Sequence, residues 1–250
     1  MDLEARNLRQ IERLNQRGGR TLSIVDLIGA GTISIKMAAY AMRAMANGAS
    51  LLTGARPGGA GKSTLLGALL GLLLPDVRMV TVDRSQVIRE GLNVPPDEPV
   101  CYLAHEIGAG HWYGYLWGPD VADFFSLVDG RRRIASCLHA DTLEELTGIL
   151  QGPPLRVGRK ALGQVGLILF IHVVAGGRRR VVGFWEADGV GGHRQVFGWN
   201  PDFDKFDLAG RLRDPAGLER YECLIRGLAD GDAEFAGVRR KVVEFFKTGA

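Results

Sequence analysis

The stretch Ala49-Ser50-Leu51-Leu52-Thr53-Gly54 runs through Ala55-Arg56-Pro57 into Gly58-Gly59-Ala60-Gly61-Lys62-Ser63-Thr64, and the leucine-rich residues Leu65 to Leu74 follow at once. A short apolar strand, a glycine loop and a helix are therefore expected in immediate succession. A glycine-rich loop feeding a helix N-terminus turns backbone N–H groups toward one point, where they suit the oxygens of a polyphosphate. In that reading Lys62 reaches the β- and γ-phosphates and the Ser63 hydroxyl holds Mg²⁺. Gly58, Gly59, Ala60, Gly61 and Thr64 complete the cradle. The strict spacing of such a loop would put glycine at position 56. Here Arg56 stands there and Gly54 lies two residues further back, so Arg56-Pro57 reads as a two-residue insertion.

Working outward, strands alternate with helices up to residue 150. Arg78 to Asp83, Val100 to Ala104 and Ile134 to Leu138 read as strands. The Ser34 to Ala46, Asp120 to Leu127 and Thr142 to Leu150 segments have helical spacing. This alternation predicts an α/β fold of the P-loop NTPase type, with a mainly parallel, RecA-like sheet covered on both faces. Beyond Pro153-Pro154, two β-rich runs, Val165 to Val174 and Arg179 to Glu186, flank Gly176-Gly177 and predict an antiparallel hairpin at one edge. Val196 to Trp199 reads as a further short strand. Helices are expected at both ends, over residues 1 to 18 and in two pieces from Leu218 to Phe246. The domain boundaries read as a helical lead-in over 1–48, a P-loop core over 49–200 and a C-terminal helical extension over 201–250. Gly108 to Pro119, with Trp112, Tyr113, Tyr115 and Trp117, is expected to form an excursion whose aromatics cover the sheet.

Open parallel sheets bind ligands at the carboxyl ends of their strands. Three strands following the loop are expected to end in Asp83, Glu106 and His139. Glu106 is placed to orient and deprotonate a water, or to support Mg²⁺ through water. An arginine beyond the loop is expected to share the phosphate charge, with Arg84, Arg89, Arg131 and Arg133 as candidates by position. His172, within an apolar run, is expected to be a core histidine.

Composition sets the remaining bounds. The chain has 250 residues, 46% apolar and 24% charged, with a net charge of +3. That is the balance of an ordinary soluble protein and carries no nucleic-acid footprint. Cys101, Cys137 and Cys223 are odd in number and far apart, which fits free thiols in a cytoplasm and no zinc site. The charged opening residues do not read as a signal peptide, and Leu65 to Leu74 is too short to cross a bilayer.

These motifs, in this order, resemble the ATPases of type II and type IV secretion and of pilus assembly. Gly31-Thr32-Ile33-Ser34 with the following helix resembles that family's lead into the phosphate loop. Val80-Thr81-Val82-Asp83 resembles its Asp box, His105-Glu106-Ile107 its Walker B end, and Leu138-His139-Ala140-Asp141-Thr142 its His box. Gly176 to Val182 with Trp185-Glu186 resembles its C-terminal hairpin. The resemblance implies ATP and Mg²⁺ as cofactors and hydrolysis as the activity. It assigns Lys62, Glu106 and His139 as catalytic residues, Asp83 as a nucleotide-site residue, and Ser63 and Glu106 as the metal site. It further implies a homo-hexameric ring in the cytoplasm, working with a partner protein at the inner face of a membrane secretion or pilus complex. The chain differs from the family pattern at His105, where glycine is usual, and at Gly108, where arginine is common. Only about 50 residues precede the loop, where the family has a large closing domain, so a partner is expected to supply that half or the motor is reduced. Two readings stay open beside the motor: an ATP-binding adaptor with weak or no hydrolysis, and, ranked last, a small metabolite kinase.

Overall fold

The computed structural model describes residues 2–15, 18–213, 215–231 and 233–249. Its elements in chain order begin with α1 (Leu3–Glu12), α2 (Ile24–Gly29), α3 (Ile35–Ala46), β1 (Leu51–Gly54), α4 (Lys62–Leu70), β2 (Arg78–Thr81) and α5 (Ser85–Asn93). Then come β3 (Val100–Leu103), β4 (Glu106–Ile107), β5 (Tyr115–Leu116), α6 (Asp120–Ser126), β6 (Arg132–Leu138), α7 (Leu143–Gln151) and α8 (Arg159–Leu162). The chain closes with β7 (Leu167–Val173), β8 (Arg179–Ala187), β9 (His193–Asn200), β10 (Lys205–Leu208), α9 (Glu219–Ala229) and α10 (Phe235–Thr248).

The strands form one sheet in the order β10-β9-β8-β7-β1-β6-β3-β2, with β4 and β5 branching from β6. Strands β7, β1, β6, β3 and β2 run parallel, and β7 to β10 pair antiparallel. This is the expected α/β architecture: a mostly parallel sheet with an antiparallel edge. The strand carrying the glycine loop, β1, is central, so all four of its residues are buried. That is why Ala49 to Leu52 reads as an unbroken small and apolar run rather than an alternating one.

Helices cover both faces. On one face Ile11, Leu14, Met37, Leu65, Leu69, Ile225 and Val242 form a core with Leu167, Leu169, Ile171 and Phe184 of the sheet. On the other, Ile88, Phe124, Phe125, Leu146 and Leu162 pack with Leu52, Tyr102, Ile134 and Phe170. Residues before the loop and at the C-terminus thus contribute to the same core as α4. Helix starts follow local chemistry: Ser23 and Asp26 form a capping box on α2, and the hydroxyls of Ser34 and Thr142 accept from the N–H groups of Met37 and Glu145. The outer edge at β2 is covered by α1 through a buried asparagine. Asn7 donates to the Val77 carbonyl (2.8 Å) and accepts from the Met79 N–H (2.9 Å), which satisfies backbone groups that an open edge would expose.

Several expectations are corrected in detail. The helix expected over residues 1 to 18 spans Leu3–Glu12, while Gln16 and Arg17 lie outside the described residues. Helix α5 was not anticipated, and neither was β10. The aromatic excursion does not cover the sheet. Trp112 is 70% exposed, and Tyr113 and Trp117 are also exposed, while Tyr115 alone turns in on the returning strand β5. His172 is not a core histidine. It sits near the carboxyl end of β7, partly exposed, with Nε2 3.4 Å from an Asp141 carboxylate oxygen. The apolar run it belongs to outlasts the helical cover, so its last residues emerge at the rim of the sheet.

Candidate functional site

The loop between β1 and α4 is shaped by its glycines. Gly59 and Gly61 have φ of 83° and 106°, a left-handed backbone that costs a side-chain-bearing residue 1–2 kcal/mol or more, roughly, and costs glycine little. Gly61 is the N-cap of α4, so the loop ends with the first N–H groups of that helix facing outward. Gly54, at the end of β1, is required for space: a Cβ there would lie 2.6 Å from the Ala140 carbonyl oxygen and 2.7 Å from the Phe170 ring.

Lys62, the first residue of α4, is only 6% exposed. Its Nζ lies 3.4 Å from Nδ1 of His139, and no carboxylate lies within 4.0 Å of it among the described residues. His139 follows β6, the strand beside β1, so the two side chains meet across neighbouring strand ends. The same imidazole has Nδ1 2.5 Å from the Arg56 carbonyl oxygen and Nε2 3.1 Å from a Glu106 carboxylate oxygen.

Glu106 reaches this position through a one-residue irregularity in the pairing with β6. β3 ends at Leu103, the Ala104 N–H donates to the Ala135 carbonyl, and the His105 N–H donates to Gly114. Glu106 then opens the two-residue strand β4, whose Ile107 pairs with Leu138. β4 thus carries on beside β6 where β3 leaves off, one residue out of step, and sets the acid next to His139. His105 is buried beneath the Gly108 to Pro119 excursion, where burial pushes its imidazole down to about 4. Gly114 is the only residue type that fits above it, since a Cβ would lie 2.6 Å from the His105 ring.

A cavity of about 790 Å³ opens above these residues. Gly58, Gly59, Gly61, Lys62, Ser63, Thr64, Glu106 and His139 all line it, and Ala60 is buried under the loop. The opposite wall comes from residues preceding the loop, including the apolar side chains Ile11, Leu14, Leu22 and Leu27. Cys137 also borders the cavity; burial raises its thiol to about 12, which makes it a poor nucleophile.

Asp83 is not brought to the cavity. It lies two residues past β2, exposed, with its carboxylate 3.5 Å from Arg84, and β2 is separated from β1 by β3 and β6. The four arginines singled out by position also lie elsewhere. Arg133 is buried and donates to the Met45 carbonyl (2.7 Å), Arg131 donates to the carbonyls of Pro96 and Asp97, Arg84 faces Asp83, and Arg89 is an exposed residue of α5. None of them lines the cavity; Arg20, Arg178 and Arg179 do.

Within the inserted pair Arg56-Pro57, Arg56 anchors the loop. The Arg56 N–H donates to Asp141 (2.6 Å) and its guanidinium donates to Glu145 (2.8 and 3.1 Å) in the first turn of α7. With its carbonyl on His139, Arg56 joins the glycine loop to the segment after β6 at three points. In the sequence alone these two residues stand out only as a change of spacing.

No protein-family model matches the chain, and a comparison with curated protein sequences found no match. Among solved structures it is similar to the VirB11 ATPase of the Brucella suis type IV secretion system, solved in complex with sulphate. That match has 17% identity over 58% of this chain and 50% of the other, with a TM-score of 0.44. It is also similar to the Legionella pneumophila ATPase DotB, with 13% identity over 82% of this chain and 54% of that one, and a TM-score of 0.39. The chain spans about half the length of each of these two proteins.

Proposed function

We propose that the chain binds ATP with Mg²⁺ in the cavity above the glycine loop and hydrolyses it, as a subunit of a secretion or pilus-assembly motor. The observation that carries this reading is the convergence of Lys62, Ser63, Glu106 and His139 on one cavity at the carboxyl ends of β1 and β6. The loop N–H groups and the Lys62 ammonium would take the phosphate oxygens, and the residues before the loop would wall in the remainder of the nucleotide.

The donor set fits a magnesium ion held partly by its substrate. Among the described residues no group of three or more His, Cys, Asp or Glu side chains could hold a metal alone. Ser63 and, through water, Glu106 would supply the protein's share, and phosphate oxygens the rest. When bound, the ion neutralises charge on the β- and γ-phosphates. Glu106 orients a water toward the γ-phosphorus and takes its proton as the bond to the β–γ bridging oxygen breaks, giving ADP and inorganic phosphate. His139, in contact with both Glu106 and Lys62, holds the acid and the ammonium in register.

The assignment to a secretion or pilus machine rests on the motif order from the Asp box to the C-terminal hairpin. It carries with it a homo-hexamer, a cytoplasmic position at a membrane complex and a division into 1–48, 49–200 and 201–250. Asp83 belongs to this reading only if a neighbouring subunit or bound nucleotide brings it to a site. Among the described residues no helix is long and apolar enough to cross a membrane. The test is ATP turnover with Mg²⁺ measured against protein concentration, with solution mass recorded alongside. Turnover that rises with assembly supports the motor. Tight ATP binding without turnover at any concentration supports the adaptor, and absence of binding rejects both.

A further inference from the structure

Gly177-Arg178-Arg179-Arg180 leads into β8 and carries three guanidiniums, of which those of Arg178 and Arg179 belong to residues lining the cavity. Two of them are spoken for. Arg178 and Arg180 both pair with Asp204, at 2.6 Å for Arg178 and at 2.7 and 2.8 Å for Arg180. Those arginines and the Trp199 N–H hold the Asp204 carboxylate well below its usual range. Arg179 is different: among the described residues no carboxylate lies within 4.0 Å of its guanidinium. Its Nη2 donates to the Gly59 carbonyl (3.2 Å), and its Cδ lies 3.3 Å from where a Cβ on Gly61 would stand.

The orientation of Arg179 has a backbone cause. Pairing of β7 with β8 steps from Phe170↔Gly183 to Ile171↔Val181, so Val182 is an extra residue in β8. Opposed residues in an antiparallel pair share a face. Leu169↔Phe184, Ile171↔Val181 and Val173↔Arg179 therefore make one row, whose buried members pack in the core that contains α4. Without the extra residue, strict alternation from Phe184 would put Arg180 in that row instead. The bulge re-aims the chain so that Arg179 faces the glycine loop.

We infer that Arg179 is the second cation of the polyphosphate site, supplied by the same chain that supplies Lys62. The inference rests on the reading of the glycine loop as a nucleotide site. One guanidinium N–H holds the Gly59 carbonyl and the side chain passes beside Gly61, so the fork's other donors would be offered to the oxygens of a terminal phosphate in the loop. Planar, multidentate donation to phosphate is what arginine does better than lysine.

The test is calorimetric titration of Mg·ATP and Mg·ADP into the full chain, comparing wild type with Arg179→Gln, Arg179→Lys and Lys62→Ala, with Tm recorded for each. Arg179→Gln should weaken ATP about tenfold or more and ADP by less than about threefold. Arg179→Lys should recover part of that loss. Equal losses for ATP and ADP accompanied by a fall in Tm would make Arg179 a brace for Gly59 and overturn the proposal. Unchanged ATP affinity in Arg179→Gln, with wild type and Lys62→Ala still different, would overturn it while leaving the nucleotide site standing. Failure of the wild-type chain to bind either nucleotide would remove the site itself, and this inference with it.

Discussion

Replacing Arg56 by alanine separates two roles for the loop insertion. Its side chain is 68% exposed, so its pairing with Glu145 and Asp141 is screened by water and adds at most about 1 kcal/mol to global stability. In a chain of this size that corresponds to a Tm fall of about 2–4 °C. The same contacts also hold the glycine loop against α7, and through the Arg56 carbonyl they hold the His139 ring. If nucleotide binding needs that loop geometry in advance, a similar energy should reappear in binding, as about a fivefold rise in Kd for ATP. The backbone contacts to Asp141 and His139 survive in the variant, which is why a larger effect is not expected. A double-mutant cycle with Glu145→Ala, read by calorimetric Kd, should show coupling of about 0.5–1 kcal/mol. Independent effects on Kd, or an Arg56→Ala variant that loses Tm but binds ATP like wild type, would refute the anchoring role and leave the insertion a passive surface turn.

Two further outcomes follow from burial and space. The buried His105 imidazole has its pKa lowered from 6.5 to about 4, so above pH 6.5 both folded and unfolded chains carry it neutral. Below that the unfolded chain takes up the proton first, and this group's contribution, up to about 3 kcal/mol, is lost as pH falls from 6.5 toward 4. The pH slope of the unfolding free energy over that range should flatten in His105→Gln; an unchanged slope would count against burial as the cause. Gly54→Ala forces a Cβ to 2.6 Å from the Ala140 carbonyl oxygen and should lower the urea midpoint by the equivalent of about 1–3 kcal/mol. An unaltered midpoint would show that β1 and the segment after β6 can part without cost.

How far the site is legible in the chain depends on whether its geometry is local. The glycine loop is local: strand, glycines and helix are contiguous, and Gly58 to Thr64 sit where the spacing puts them. The parallel sheet is legible for a related reason, since strands buried on both faces announce themselves as continuous apolar runs. The contacts that assemble the site are long-range. Glu106 meets His139 only because β4 resumes the pairing with β6 one residue out of step with β3, an irregularity held by Gly114 and the His105 N–H. Arg179 faces the loop only because of one extra residue in β8, and no composition signal marks that bulge. Asp83 was expected at the site because it follows a strand, but a strand end counts only when its strand is near the centre, and β2 is at the edge. The exposed Trp112 and Trp117 show the same gap, for aromatic content cannot tell which side of an excursion will be covered.

In the proposed site Lys62 and Glu106 act on one bound nucleotide in different ways. The direct measurement is ATP binding and single-turnover hydrolysis on the same preparations of wild type, Lys62→Ala and Glu106→Gln. Lys62→Ala should lose binding, while Glu106→Gln should still bind ATP but release phosphate at least about a hundredfold more slowly than wild type. A Glu106→Gln variant that turns over ATP at the wild-type rate, or a Lys62→Ala variant that binds it as tightly, would contradict these roles.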